Sequence, residues 1–248
     1  IKSNNNYQNT YNSIIYSYKQ CKNNNFIGIV TLPISKNKII KNIDKKFIGH
    51  TELFQKIDKN KNVNMIFIYK KLIIVPLTIH IRFKNIIKQF YNKNYILGKI
   101  ISLHNTLVKD FKINNPKIII SGLNPHAGEN GNFGNEEINL IKPLIVKAKK
   151  INVNISGPES ADTLLNKSNL KKYDCFIFIY HDQALIPFKL ISKNNGVNYT
   201  SNLSIIRTSP DHGTAYDLVG KNIASSNSLI NSFKLLKKIH KNRKNIEI

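Results

Sequence analysis

The chain has 248 residues, 41% of them hydrophobic, which is enough to bury a substantial core and too many for a disordered chain. Its formal net charge is +24, yet every basic residue is a lysine apart from Arg82, Arg207 and Arg243. The lysines are scattered through Asn- and Ile-rich sequence, so a specific nucleic-acid interface, which favours arginines clustered on one face, is not the leading reading.

No apolar run reaches the roughly 20 residues of a membrane span. Cys21 and Cys175 have neither metal-ligand nor redox spacing, and a reducing, cytoplasmic setting is expected, with no membrane partner.

In chain order, Tyr7, Tyr11, Ile14, Ile15 and Tyr18 recur at helical spacing and predict an opening amphipathic helix. A short buried strand is predicted over 26–31. Asn64–Tyr69 and 72–79 follow as two strands with Lys70 and Lys71 between them, the pattern of a hairpin. Helices are predicted over 83–91 and 95–112, then a strand over 117–121 after Pro116. A Gly-rich loop over 122–134 leads into a helix over 135–150, and further strands are predicted over 152–156, 174–180, 197–200 and 204–208. A helical turn is expected at 161–165 and a last helix at 227–240. Alternating strands and helices imply an α/β protein with a largely parallel sheet covered on both faces.

Chemistry in such proteins sits in loops at strand ends. Four loops carry dense polar motifs, beginning at Gly49-His50-Thr51-Glu52 and Gly122-Leu123-Asn124-Pro125-His126. The other two are Tyr180-His181-Asp182-Gln183 and the segment from Arg207 through Asp211-His212-Gly213-Thr214-Ala215. His80, His126 and His181 each follow a predicted strand, and neutral imidazoles are common ligands of divalent metals. Each has an ordinary alternative as a histidine satisfied by a backbone carbonyl, and their spacing matches no local metal motif. Asp182 and Asp211 stand next to histidines and suit either imidazole orientation or the capping of a turn.

The segments GHTELF, GLNPHAGENGNFGNEE, SGPESADTLL, YHDQALIPFK, GVNYT and RTSPDHGTAYDLVGK resemble, in order, those of the 4-hydroxythreonine-4-phosphate dehydrogenase family. The resemblance runs over nearly the whole chain. It implies a fold like isocitrate and isopropylmalate dehydrogenases, with two α/β/α domains around a cleft. It also implies NAD-dependent oxidation and decarboxylation of 4-phosphooxy-L-threonine to 3-amino-2-oxopropyl phosphate, on the way to pyridoxal 5′-phosphate. The family's metal ligands fall on His80, His126 and His181, and its substrate contacts on His50, Thr51, Lys189, Asn198 and Arg207. The metal would be a divalent cation such as Zn, Mg, Co or Mn. No G-x-G-x-x-G fingerprint is present; NAD, or NADP, is expected at His212, Gly213, Thr214, Ala215 and Asp217. A homodimer sharing its active site is implied, with a small phosphorylated amino acid as the other partner.

The family carries a further stretch ahead of Ile1, so a first domain incomplete at its N-terminal side is expected. It would comprise 1–48 with 208–248 on the NAD side, leaving 49–207 as the second domain, and an exposed apolar edge near Phe26 to Val30. In Thr31-Leu32-Pro33-Ile34-Ser35-Lys36, Leu32 and Ser35 replace the family's usual Gly and His. Ala184 replaces a Gly, and Asn202-Leu203-Ser204 replaces Gly-Leu-Pro. These departures keep open an alternative, a degenerate, non-catalytic remnant of the enzyme.

Overall fold

The computed structural model describes residues 5–244. Along the chain run α1 (Asn5–Lys22), β1 (Ile29–Val30), α2 (Lys36–Asn42), α3 (His50–Asp58), β2 (Asn64–Tyr69) and β3 (Leu72–Thr78). Next come α4 (Ile86–Tyr91), α5 (Lys93–Phe111), β4 (Ile118–Ser121), α6 (Lys142–Lys150), β5 (Ile155–Glu159) and α7 (Lys167–Lys172). The chain continues through β6 (Cys175–Tyr180), α8 (His181–Ser192), β7 (Val197–Ser201), β8 (Arg207–Pro210) and α9 (Asn227–Lys244). No helix among the described residues is long and apolar enough to cross a membrane.

Two compact units emerge, one comprising the described residues up to Val63 with those from Asn194 onward, the other Asn64–Lys193. These limits differ from the expected 48/49 and 207/208. The shift has a packing cause: Leu53 and Phe54 of α3 sit in one core with Ile14 and Tyr18 of α1, and β7 is hydrogen-bonded to β8.

In the first unit, β1 pairs parallel with β8 (Ile29↔Arg207) and β8 antiparallel with β7 (Thr200↔Arg207). Its core joins Ile14, Tyr18 and Cys21 to Ile39, Phe47, Phe54, Val63 and Leu203. The helical spacing of Ile14, Tyr18 and Cys21 explains why the polar, Asn-rich α1 folds at all: one narrow stripe is buried. Asp58 joins α3 to that stripe, accepting from the Tyr18 hydroxyl at 2.7 Å and from the Ser204 backbone N–H at 3.0 Å. β1 is shorter than the predicted strand, and Phe26 and Ile27 ahead of it are about half exposed, at 51% and 49%.

The second unit holds a mixed sheet in the order β2-β3-β6-β4-β5. The hairpin β2–β3 is antiparallel, while β3–β6, β6–β4 and β4–β5 are all parallel. α8 packs its Ala184, Leu185 and Phe188 against Phe67, Ile74, Phe176 and Phe178. The residues alternating with these along the strands, such as Val75 and Ile177, are fully buried too, as in a sheet covered on both faces. α5 supplies fully buried Ile96, Ile100, Leu103 and Leu107 at helical spacing. Its start is fixed by Asn92, whose side chain accepts from the Tyr95 N–H at 3.2 Å.

Candidate functional site

Because β3, β6 and β4 are parallel neighbours, their C-terminal ends lie on one edge of the second unit's sheet. That edge is where an open α/β sheet places a ligand. His80 follows β3, the motif loop of His126 follows β4, and His181 follows β6 directly as the first residue of α8. The His80 and His181 rings are 5.7 Å apart. His181 Nδ1 lies 2.7 Å from Asp182 Oδ1, so the carboxylate holds the ring proton on Nδ1 and leaves the Nε2 lone pair for a ligand.

Gln183 ties the strand ends together. Its Oε1 accepts from the Ile179 N–H at 2.9 Å and from the Ser121 hydroxyl at 3.1 Å, while its Nε2 donates to the Gly122 carbonyl at 3.0 Å. Thr78 donates to the Ile179 carbonyl at 2.8 Å, fixing the end of β3 against β6.

The β4 loop has an uncommon backbone. His126, Ala127, Gly128, Glu129 and Asn130 are consecutively left-handed, with φ of 49°, 51°, 80°, 40° and 57°. This conformation costs roughly 1–2 kcal/mol for each L-residue other than glycine, so something outside the loop must hold it. At the entry to this loop sits Glu137, which is 1% exposed. Its Oε1 accepts from the backbone N–H groups of Leu123 (2.7 Å) and Asn124 (2.8 Å), and its Oε2 from Asn124 Nδ2 (3.0 Å). A buried carboxylate must be met by donors, and charge-assisted bonds of this kind are the stronger ones. The His126 ring is exposed and rests against Phe133, centroids 5.9 Å apart. With Glu129, Glu137, Lys142 and Pro158 it lines an open polar cavity of about 420 Å³. Among the described residues, no group of three His, Cys, Asp or Glu side chains could hold a metal. The structure thus brings His80 and His181 together and leaves His126 outside that pair.

The first unit has its own cluster, built on Arg207. The guanidinium is 3% exposed. It donates to Thr31 Oγ1 from Nε (3.0 Å) and Nη2 (2.6 Å), and to Thr200 Oγ1 from Nη1 (2.8 Å), and lies 6.0 Å from the centre of the Phe54 ring. Its hydrogen-bond acceptors are therefore hydroxyls, which carry no charge. Burial holds its pKa down to about 9, with Glu52 acting in the opposite sense. Thr51 at the start of α3 places its hydroxyl 3.5 Å from that of Thr200. His50, the first residue of α3, stacks on Phe54 at 6.5 Å. Its pKa is lowered to about 3, first by burial and then by the positive charges of Arg207 and Lys36.

Of the substrate residues expected from sequence, His50, Thr51 and Arg207 are gathered here. Asn198 lies on β7 opposite Ser209, its Oδ1 buried with no hydrogen-bond partner among the described residues. Lys189 belongs to the second unit, exposed on α8. The residues expected to hold NAD form a solvent-facing segment between β8 and α9. Gly213, Thr214, Ala215 and Asp217 are exposed, and His212 Nδ1 lies 2.9 Å from the Gly213 carbonyl oxygen. Asp211 is buried beside Ser228, whose hydroxyl accepts from its N–H at 3.2 Å. Thr31, Phe54, Thr200 and Glu137 went unremarked as site residues in the sequence. The signals available were Thr31 at the head of the Thr-x-Pro segment and the acidic pair Glu136-Glu137 after a Gly-rich loop.

A family model described as pyridoxal phosphate biosynthetic protein PdxA matches residues 2–236. A 4-hydroxythreonine-4-phosphate dehydrogenase of Wigglesworthia glossinidia brevipalpis is 43% identical over 227 residues, covering 90% of this chain and 68% of that protein. One from Sulfurihydrogenibium sp. is 41% identical over 217 residues, covering 86% of this chain and 66% of that protein. The chain thus spans about two thirds of the length of these curated relatives. A crystal structure of 4-hydroxythreonine-4-phosphate dehydrogenase from Klebsiella pneumoniae superposes with a TM-score of 0.83 at 30% identity, covering 96% of this chain and 72% of that one. Motifs, fold and family match agree, and the chain belongs to the pyridoxal phosphate biosynthetic protein PdxA family.

Proposed function

We propose that this chain is a 4-hydroxythreonine-4-phosphate dehydrogenase, oxidising 4-phosphooxy-L-threonine with NAD and releasing carbon dioxide to give 3-amino-2-oxopropyl phosphate. The observation that carries this reading is Arg207: a buried guanidinium whose hydrogen-bond acceptors are uncharged hydroxyls, set beside a neutral histidine, with Glu52 as the acidic group that acts on it. An anionic group of a substrate would find a charge-assisted donor there. Thr51 and Asn198 offer polar atoms to the same kind of ligand, and the ammonium of Lys189 suits another anionic group. Lys36, which helps to depress the His50 pKa, adds positive charge near that ring.

The histidine edge fits part of a divalent-metal site. His80 and His181 lie ring to ring, and the Asp182 carboxylate leaves His181 Nε2 available. His126 is the third ligand in this reading, brought to the pair in a homodimer whose two copies share the site. A divalent cation held there would act as a Lewis acid toward the substrate's hydroxyl and carbonyl oxygens. The chain's own part in the first unit is to bind an anionic group of the substrate on Arg207 and to keep His50 uncharged, and in the second unit to orient His181 through Asp182. The segment around His212, Gly213, Thr214, Ala215 and Asp217 would hold the adenosine end of NAD, which when bound would serve as the hydride acceptor.

The test is to incubate the purified chain with 4-phosphooxy-L-threonine, NAD and a divalent metal, following NADH and carbon dioxide together. Equal amounts of both are expected, with light scattering reporting a dimer. Metal binding without NADH formation would instead favour the non-catalytic remnant, to which the replacements at Leu32 and Ser35 point.

A further inference from the structure

We propose that Glu137 is the positioning residue for His126: its buried carboxylate sets the left-handed loop from which that histidine projects. The inference rests on the reading of His126 as a metal ligand and goes beyond it, because Glu137 is not among the expected metal ligands. Three features of the structure carry it. First, five consecutive left-handed residues, four of them not glycine, are not a conformation the loop's own sequence favours. Second, the carboxylate sits inside the loop and not beside it. A Cβ added at Gly128 would lie 2.6 Å from Glu137 Oε2, and one at Gly122 would lie 3.1 Å from Oε1. The two glycines leave the space that the carboxylate fills, and its oxygens collect the N–H groups of Leu123 and Asn124 at the loop's entry.

Third, Glu137 is itself anchored. It opens the π-helical turn Glu137–Ile141 that runs into α6, where Leu140, Ile141, Leu144 and Ile145 are buried. Position is therefore passed from the core through the α6 entry to Glu137, from its oxygens to residues 123 and 124, and from there to His126. The Asn124 side chain adds a brace, donating from Nδ2 to Glu136 Oε2 at 2.7 Å as well as to Glu137. With all three of its contacts donors from the loop, the Glu137 charge is spent on shaping that loop.

The test compares Glu137→Ala, Glu137→Gln, His126→Ala and the control His104→Ala in the full chain. Zinc binding is measured by calorimetry and amide hydrogen exchange is measured at residues 123–131. Glu137→Ala should weaken zinc binding roughly 10–100-fold, the usual effect of losing a group that orients a ligand, and accelerate exchange in the loop. Glu137→Gln keeps one oxygen able to accept from Leu123 and Asn124, so it should fall between Ala and the native chain on both readouts. His126→Ala should lose at least as much affinity as Glu137→Ala, and His104→Ala none. If His126→Ala weakens zinc binding while both Glu137 variants bind as the native chain does, Glu137 is only a structural clamp and the inference is overturned. If His126→Ala binds zinc normally, the metal reading fails, and this role for Glu137 falls with it. Should Glu137→Ala not fold, the Glu137→Gln chain decides: native affinity together with native loop exchange overturns the inference.

Discussion

His50 offers a quantitative check on the electrostatics of the Arg207 cluster. An unfolded histidine titrates near 6.5, whereas burial and the charges of Arg207 and Lys36 keep folded His50 neutral down to about pH 3. As pH falls through 6.5, the unfolded chain takes up a proton at this position and the folded chain does not. Acid therefore favours unfolding, and the contribution is fully present above pH 6.5 and is lost progressively between 6.5 and about 3. The slope is about 1.4 kcal/mol per pH unit. Between pH 7 and pH 5, His50 alone should remove about 2 kcal/mol of stability. His50→Asn has no such proton to take up, so urea unfolding of the variant should show a smaller loss over the same interval by about that amount.

The same cluster predicts a linkage to ligand. An anion at Arg207 offsets the cations that depress the His50 pKa, so the ring should titrate higher when sulfate is bound, a probe whose own charge is constant in this range. The histidine ring-proton spectrum, assigned by difference against His50→Asn, reports both states. Titration of His50 near 6.5 in the free chain would refute the reasoning. So would equal stability losses in the native chain and the variant between pH 7 and 5.

Three further outcomes follow from the packing. Phe54 is fully buried between Tyr18, His50 and Arg207, so Phe54→Ala should cost about 3–5 kcal/mol in urea unfolding; a loss under about 1 kcal/mol would contradict its place in the core. Gly128→Ala puts a Cβ on a residue with φ of 80° and 2.6 Å from Glu137 Oε2. It should destabilise by at least about 1–2 kcal/mol, whereas Gly213→Ala, with nothing within 4 Å, should stay within about 0.5 kcal/mol. Arg207→Lys keeps the charge but loses the fork that spans Thr31 and Thr200. The KM for the phosphorylated substrate should rise roughly 10–100-fold, and an unchanged KM would remove Arg207 from substrate binding.

The parts of the fold legible in the sequence are those with an unbroken apolar or periodic signal. The run Cys175–Tyr180 and the hairpin strands on either side of Lys70 and Lys71 are examples, because a strand buried on both faces leaves little ambiguity. α3 and α8 were hidden because each begins with a polar motif that reads as a loop, His50-Thr51-Glu52 in one and His181-Asp182-Gln183 in the other. Pro187 inside α8 disguised it further, although Ala184, Leu185, Phe188 and Ser192 form its buried face. The predicted helix over 135–150 opens with a π-helical turn, Glu137–Ile141. The left-handed run at 126–130 had no adequate local signal. Gly128 and Asn130 tolerate positive φ, but His126 and Ala127 do not favour it, and the carboxylate that binds the loop's entry comes from Glu137, further along the chain.

The departures from the family pattern can now be weighed by what their neighbours do. Thr31 keeps its hydroxyl on Arg207, while the side chain of Leu32 is 56% exposed and takes no place in the core. The replacement of glycine at that position therefore leaves the Arg207 anchor intact. Ala184 is fully buried in the cluster with Phe176 and Phe178, so its methyl group fills core and displaces no site residue. Asn202, at φ of 57°, adopts a backbone that suits the glycine it replaces and that Asn tolerates best among the larger residues. Its amide also donates to Asn60 Oδ1 and to the Asn62 carbonyl, at 3.2 and 3.1 Å, and so fastens the turn after β7 to the end of the α3 segment. At these three positions the substitutions drift in sequence while conserving the surroundings of the charged groups. A chain losing its function without constraint would have no reason to keep both threonines on Arg207 and the glycines around Glu137.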